Sequence, residues 1–308
     1  MEPTTDTSRR AWRIPDDRSG QRLDRCLADT LELSRSQANA LLRAGAVTLD
    51  GRPATLRDKG QILLAGQQLA ADCAALDPAP NGAPLAVVAE GPDWLIADKP
   101  SGLATRPLHG GQRDTLLNRV VAHRPAIVGV GEGGLRSGVV HRLDVDTSGL
   151  VLFATTAARH AEARRAFTAH TAVKRYLALV AGRVDEPRRV ELGLAVTRHA
   201  PARVEVVDSE AHPNARRTAL SWNPRHAGPH ATLLDVALET GFLHQIRVTF
   251  AHLGHPVLGD TRYAPPAIAS AADRLMLHAH HLDVGFAAAD APPPHDFHAA
   301  VEHWSYGH

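Results

Sequence analysis

Residues 141–149 read His-Arg-Leu-Asp-Val-Asp-Thr-Ser-Gly and run directly into the apolar stretch 150–153. A carboxylate placed here, beside Arg142 and among turn-forming residues at the edge of a strand, could be held ionised and accessible as a nucleophile or base. Asp144 and Asp146 both qualify. The two could act together as a glycosidase-like pair, or, with Thr147 and Ser148, do no more than cap and turn the chain. Residue types alone leave these alternatives open.

Such a loop needs elements to hold it. Over residues 22–33, Leu23, Cys26, Leu27 and Leu31 recur at helical spacing, and Ser34 is a good N-cap for a second helix carrying Ala38, Leu41 and Leu42 and ended by Gly45. Residues 46–49 and 61–64 read as short strands, joined by the turn Asp50-Gly51 and a basic segment with Arg52, Arg57 and Lys59. Residues 76–84 hold Pro78, Pro80, Pro84 and Asn81-Gly82 without apolar periodicity, which marks a boundary. The expected organisation is a flexible tail over 1–20, a small domain over 21–75, a linker over 76–84 and a large domain over 85–308. In the large domain, strands at 85–89, 94–97, 149–154, 176–181, 232–238 and 257–258 mix with helices at 157–168 and 243–253. That pattern predicts an α+β class.

Several function classes drop out. The chain has 308 residues, 44% of them hydrophobic, enough for one large or two unequal cores. Two cysteines, Cys26 and Cys73, cannot build a disulfide framework or a four-thiolate zinc site. No apolar run approaches the ~20 residues of a membrane span, and the polar start lacks a leader pattern, so a cytoplasmic protein without membrane contact is expected. Residues 129–138 are glycine-rich but lack the spacing and the Lys-Ser/Thr of a phosphate loop. His278, His280 and His281 have no recognisable partner cluster of Cys or carboxylates, so no metal site is expected. Lys plus Arg number 34 against 33 Asp plus Glu, a net charge of +1. Between Lys99 and Tyr176, however, twelve basic residues face five acidic ones. The near-neutral total therefore hides a basic middle that suits a polyanionic partner.

The run His141-Arg142-Leu143-Asp144-x-x-Thr147-Ser148-Gly149 resembles the signature of the RluA-type pseudouridine synthases at every specified position. Further motifs follow in order: Asp98-Lys99-Pro100-Ser101-Gly102-Leu103, Lys174-Arg175-Tyr176-Leu177-Ala178, and His244-Gln245-Ile246-Arg247. Gly254-His255-Pro256-Val257-Leu258-Gly259-Asp260 with Tyr263, and a closing strand region around His278-Ala279, complete the match. The resemblance spans residues 85–285. It implies a pseudouridine synthase fold, with a mixed, mostly antiparallel sheet and flanking helices. Arg22-Leu23-Asp24, Ser34-Arg35-Ser36, Gly45-Ala46-Val47 and Asp50-Gly51 similarly resemble a small S-four RNA-binding domain of α/β type.

Carried residue by residue, the resemblance implies Asp144 as the catalytic carboxylate, Tyr176 as the ring stacking on the target base, and Arg247 as the cation paired with Asp144. A bidentate guanidinium would aim the carboxylate oxygens, and a planar tyrosine offers a face to an extruded base. Lys99, Arg106, His141, Arg142, Thr147, His244, Gln245 and Ile246 are expected to contact substrate or RNA. In the small domain Arg22, Ser34, Arg35, Arg43 and Lys59 are expected to do so. One departure stands out: the family usually carries Thr-Gly-Arg-Thr/Ser where this chain has Thr240-Gly241-Phe242-Leu243. Any phosphate or helix-capping contact made by that arginine and hydroxyl is then lost. The implied activity is isomerisation of uridine to pseudouridine in RNA, without a cofactor and in a monomer. Large-subunit ribosomal RNA is the expected substrate. A transfer-RNA substrate and a non-catalytic RNA-binding ribosome-assembly factor are the alternatives.

Overall fold

The computed structural model describes residues 9–199 and 201–306. The chain divides into two compact units. One comprises the described residues up to Ala83 with Arg106–Gly138, the other Pro84–Thr105 with the described residues from Val139 onward. The division at Ala83 falls inside the proline-rich segment, whereas Arg106–Gly138 groups with the first unit instead of the expected 85–308 domain.

In the first unit, α1 (Leu23–Leu31) and α2 (Arg35–Arg43) bury Leu23, Leu27, Leu41 and Leu42 in a common core. Ser34 closes a capping box: its hydroxyl accepts from the Gln37 N–H while the Gln37 side chain accepts from the Ser34 N–H. The small sheet runs in the order β1 (Arg9–Arg13), β4 (Gln68–Asp72), β2 (Val47–Leu49), β3 (Arg52–Ala54). Two expectations need correction. The tail expected over residues 1–20 lies outside the described residues for 1–8, but Arg9–Arg13 is a strand paired with β4, placing Trp12 opposite Leu69. Trp12 and Ile14 pack on the core and hold this otherwise polar strand in place. Residues 61–64 make only an isolated bridge, Arg22 to Ile62, because Leu63 is buried while Ile62 and Leu64 face outward without a partner strand.

The proline-rich segment is tied down by asparagines. The Asn118 side chain, on α3 (Leu116–His123), donates to Ala79 O at 2.6 Å, and the Asn81 N–H donates to Asn118 O at 2.9 Å. Prolines remove N–H donors, so side-chain amides complete the hydrogen bonding here.

The second unit is built on one large sheet. Its strands are β5 (Ala86–Glu90), β6 (Trp94–Lys99), β7 (Ser148–Ala154), β8 (Val173–Ala181), β9 (Arg188–His199), β10 (Ala202–Val207), β11 (Arg216–Ala227), β12 (Ala231–Leu238), β13 (Leu277–Asp283) and β14 (Ala288–Asp290). The order is β10-β9-β11-β12-β8-β13-β7-β6-β5, with β14 on β13. Only β7 and β13 run parallel to each other; the other pairs are antiparallel. β7 is buried along its whole length, and α4 (Ala157–Thr168) covers it through Ala163 and Phe167. Gly149 is required where β7 meets β13: its φ is +115°, and a Cβ there would lie 2.3 Å from Ala279 O. Val257 makes an isolated bridge to Val180 and belongs to no strand. The helix expected over 243–253 is α5 (Gln245–His252). The sheet thus places the loop entering β7, the start of β8, the ends of β12 and β13 nearest it, α4 and α5 around one cavity.

Candidate active site

Residues 141–147 form a loop leading into β7, and residues 99–105 hold it by its backbone N–H and C=O groups. The Thr147 N–H donates to Asp144 O at 3.2 Å, closing a tight turn. The Gly102 N–H donates to Val145 O at 2.9 Å and the Ser101 hydroxyl to Asp146 O at 2.7 Å. The Thr105 hydroxyl donates to Leu143 O and accepts from the Leu143 N–H, at 3.1 and 3.2 Å. Lys99 is fully buried beneath this loop, its ammonium donating to Pro100 O, Leu103 O and Val145 O at 3.0, 2.7 and 2.8 Å. All three of its donors are therefore taken by backbone carbonyls, two in its own segment and one in the loop, and none is left for a phosphate. Burial pushes the Lys99 amine down to about 7, against the pull of Asp144, Asp146 and Asp98.

Asp144 stands at the top of that turn with its side chain 18% exposed. Its Oδ2 accepts one hydrogen bond from Arg247 Nη1 at 3.3 Å and lies 3.8 Å from His244 Nε2. The expected two-point pairing with Arg247 goes elsewhere. Nε and Nη2 of Arg247 form a bidentate pair with Asp260, at 2.8 and 2.7 Å. Asp260 also accepts from the Arg262 and Tyr263 N–H groups, at 2.9 and 3.1 Å. Asp260 occupies the Nε and Nη2 edge of the planar fork, leaving Nη1 for Asp144. Burial works to raise the Asp260 carboxyl, but the Arg247 guanidinium and these two N–H groups hold it below the usual carboxylate range. Burial likewise disfavours the Arg247 cation, yet Asp260 and then Asp144 keep it charged.

The cavity over Asp144 has a volume of about 440 Å³. Nine residues singled out from the sequence line it: Asp144, Tyr176 and Arg247, then His141, Arg142 and Thr147, then His244, Gln245 and Ile246. Tyr176 reaches it from β8, where it sits between Val236 and Ala279; burial and the nearby Asp144 push its phenol up. His141 has a structural part here. Its Nε2 accepts from the Leu152 N–H at 3.0 Å, its ring stacks on Phe167 at 4.6 Å, and burial pushes its pKa down to about 3, so it stays neutral. Gln245 is also committed, its amide donating to Ala219 O and accepting from Thr240 and the Phe242 N–H. These bonds tie the start of α5 to the turn before it and to β11; α5 itself carries no side-chain cap. Phe242 and Leu243 pack with Leu194, Val204 and Val248 and form an apolar wall of the cavity.

Arg164, Phe167 and Lys174 also line the cavity and were not picked from the sequence. The signal was present: Lys174 shares a strand face with Tyr176, and Arg164 and Phe167 are three apart on α4. Asp260 likewise sits inside a recognised motif without any sign there of its bond to Arg247.

The remaining expected residues lie outside this cavity. Arg106 begins the segment that groups with the first unit, and its guanidinium donates to Pro107 O at 3.2 Å. In the first unit, Arg22 pairs with the buried Asp24 at 3.0 Å, and Ser34 serves as the cap. Arg35, Arg43 and Lys59 are exposed, and Arg43 shares a shallow hollow with Arg57. Among the described residues, no group of three or more His, Cys, Asp or Glu is placed to hold a metal ion. None of the described helices is long and apolar enough to cross a membrane.

Known proteins match both the order of motifs and the architecture. The chain is 37% identical over 284 residues to an uncharacterised RNA pseudouridine synthase of Mycobacterium bovis, covering 89% of each chain. It is 32% identical to the ribosomal large subunit pseudouridine synthase D of Pseudomonas aeruginosa over 319 residues, covering 95% of each. Its fold is shared with human RNA pseudouridylate synthase domain containing 1, at a TM-score of 0.57 and 23% identity over 70% of this chain and 84% of that one. Residues 93–252 match the family model for RNA pseudouridylate synthase, a stretch that contains the Asp144 loop, Tyr176 and Arg247. With the carboxylate, the tyrosine and the arginine of those motifs gathered in one cavity, the chain belongs to the RNA pseudouridylate synthase family.

Proposed function

We propose that this RNA pseudouridine synthase modifies uridine in large-subunit ribosomal RNA, acting as a monomer in the cytoplasm, with Asp144 as the reacting carboxylate. The observation that carries the assignment is the unequal sharing of Arg247. Asp260 takes the bidentate edge, and Asp144 is left accessible with a single 3.3 Å bond. The target uridine leaves its stack, because its N1 and C5 edges are unreachable within a helix. Its base lies against Tyr176, and Arg142 and Arg164 beside the cavity favour the phosphates on either side. Asp144 acts on the ribose, the N1–C1′ bond breaks, and the uracil turns and rejoins C1′ through C5. The C5 proton departs and N1 gains one, so atoms balance without a cofactor.

The exposed Arg35, Arg43, Arg57 and Lys59 of the first unit serve as an S-four-like phosphate-binding face. Relatives named as large-subunit ribosomal enzymes favour ribosomal RNA. The test is tritium release from C5-labelled uridine in large-subunit ribosomal RNA and, in parallel, in transfer RNA. Release from ribosomal RNA alone, abolished in Asp144→Asn, is the expected result. Release only from transfer RNA would overturn the substrate assignment.

A further inference from the structure

We infer that His244 is a positioning residue for Asp144: held as its neutral Nε2–H tautomer by Tyr263, it presents a donor to Oδ2 and leaves Oδ1 as the oxygen that acts on the ribose. The inference rests on Asp144 as the reacting carboxylate and adds which oxygen reacts and what aims it.

His244 directly precedes α5 with φ +54°, a left-handed conformation adopted by few non-glycine residues. Backbone strain kept at a cavity wall points to a demand on where the side chain goes. Its ring is nearly buried, 8% exposed, with Nδ1 2.7 Å from the Tyr263 hydroxyl. That hydroxyl accepts from the Val204 N–H at 3.0 Å. Among the described hydrogen bonds the phenol proton has no acceptor other than Nδ1, so that proton is assigned to it. Nδ1 therefore accepts, and the imidazole proton resides on Nε2.

Nε2 faces Asp144 Oδ2 at 3.8 Å, the same oxygen that takes the Arg247 bond. This separation exceeds a hydrogen bond, and bonds of this kind tighten when substrate fills the site. Two donors on Oδ2 orient the carboxylate and leave Oδ1 uncommitted.

The charge state matters as much as the direction. A protonated imidazole would form an ion pair with Asp144 and weaken it as a nucleophile; a neutral N–H orients it at little electrostatic cost. The groups facing the ring are Asp144 and Asp260 on one side of the balance, Arg247 and Arg262 on the other, with Tyr263 at Nδ1 and Arg203 over the tyrosine ring. Burial is the strongest influence and lowers the imidazole pKa below the ordinary histidine value, aided by the two arginines and opposed by Asp144. The neutral form therefore prevails at neutral pH.

The test is the pH profile of kcat and KM for tritium release by the full chain, comparing wild type with Asp144→Asn, His244→Phe, His244→Asn and Tyr263→Phe. His244→Phe is expected to lower kcat roughly ten- to a hundred-fold, the scale of a misaimed reacting group. KM should stay within about two-fold, because Tyr176, Arg142 and Arg164 still meet the substrate. Asn keeps an N–H donor and tolerates the left-handed backbone, so His244→Asn should recover part of that loss. In wild type, kcat falls as the pH drops through the His244 pKa, below about 6.5. That step should be absent in His244→Asn.

Unchanged kcat in His244→Phe, or an identical acid step in His244→Asn, overturns the inference while leaving Asp144 in its role. Release that survives Asp144→Asn overturns the assignment of Asp144 and the inference with it. Should His244→Phe fail to fold, the pH profile of His244→Asn and a fall of kcat in Tyr263→Phe decide the matter.

Discussion

Arg247 serves two aspartates, and the two could hardly be treated more differently. Asp260 is 1% exposed and accepts four hydrogen bonds, two from the guanidinium and two from backbone N–H groups. Asp144 is 18% exposed at its side chain and accepts one bond, at 3.3 Å. The first is fully satisfied and fixes the cation; the second is oriented by that cation but keeps oxygen lone pairs free. A nucleophilic carboxylate needs this partial neglect, because each strong bond to its oxygens lowers their reactivity. With Asp144 in its proposed role, the site separates aiming from reacting and assigns each to its own side chain.

The largest effect that tests this contrast is Asp144→Asn, which keeps the shape and removes the negative charge. Loss of release on the order of 10³-fold or more is expected, as for other groups that react or transfer protons directly. Because Asp144 is part-exposed and singly bonded, unfolding stability should change by less than about 1 kcal/mol. A clear fall in melting temperature in this variant would show that Asp144 also supports the fold and would break the distinction.

Asp260→Asn should show the reverse weighting. Removing one partner of a buried ion pair costs about 3–5 kcal/mol. The freed fork of Arg247 can then turn to Asp144 and engage both its oxygens, so activity falls even where the variant is folded. The acid side carries the same signature. Asp260 has a folded pKa below its unfolded value, so its stabilisation is present above about pH 4 and is lost as the pH falls through the folded pKa. Denaturation followed across pH 2–6 should therefore show a steeper loss below about pH 4 in wild type than in Asp260→Asn. Parallel curves would mean that Asp260 is not the carboxylate that secures Arg247.

Much of the frame is readable from local chemistry. Residues 157–168 form the expected helix because Thr156 supplies an N-cap and Ala163 and Phe167 share a face. The unbroken apolar run after Gly149 is a strand buried along its length. The arm β9–β11 was not anticipated, although Val190, Leu192, Leu194 and Val196 alternate as a strand should. The neighbouring β11 contains Pro224, which reads as a strand breaker and sits where the pairing with β12 shifts register. Contacts within the site are less legible, since they depend on which group arrives first at a shared donor. A lysine before Pro-Ser-Gly suggests a contact with substrate or RNA; only the carbonyls of Pro100, Leu103 and Val145 converging on Lys99 show that it ties its own segment to the loop. Arg247 beside Asp144 suggests a bidentate pair; only the geometry of Asp260, thirteen residues further along, reveals that the matched edge is taken.

The smallest effect lies at Arg142, the exposed cation two residues before Asp144, in contrast to the buried Arg247. No carboxylate is paired with Arg142 among the described ion pairs, whereas Arg247 has two. An exposed, uncommitted guanidinium at the cavity wall suits a phosphate of the bound strand and contributes little to the fold. Arg142→Gln should leave the melting temperature unchanged and weaken RNA binding several-fold at low salt, reducing the slope of log affinity against log salt by about one. Measured by filter binding across a salt series, an unchanged slope would remove Arg142 from the phosphate contacts. A drop in melting temperature would place it with Arg247 among the cations that support the fold.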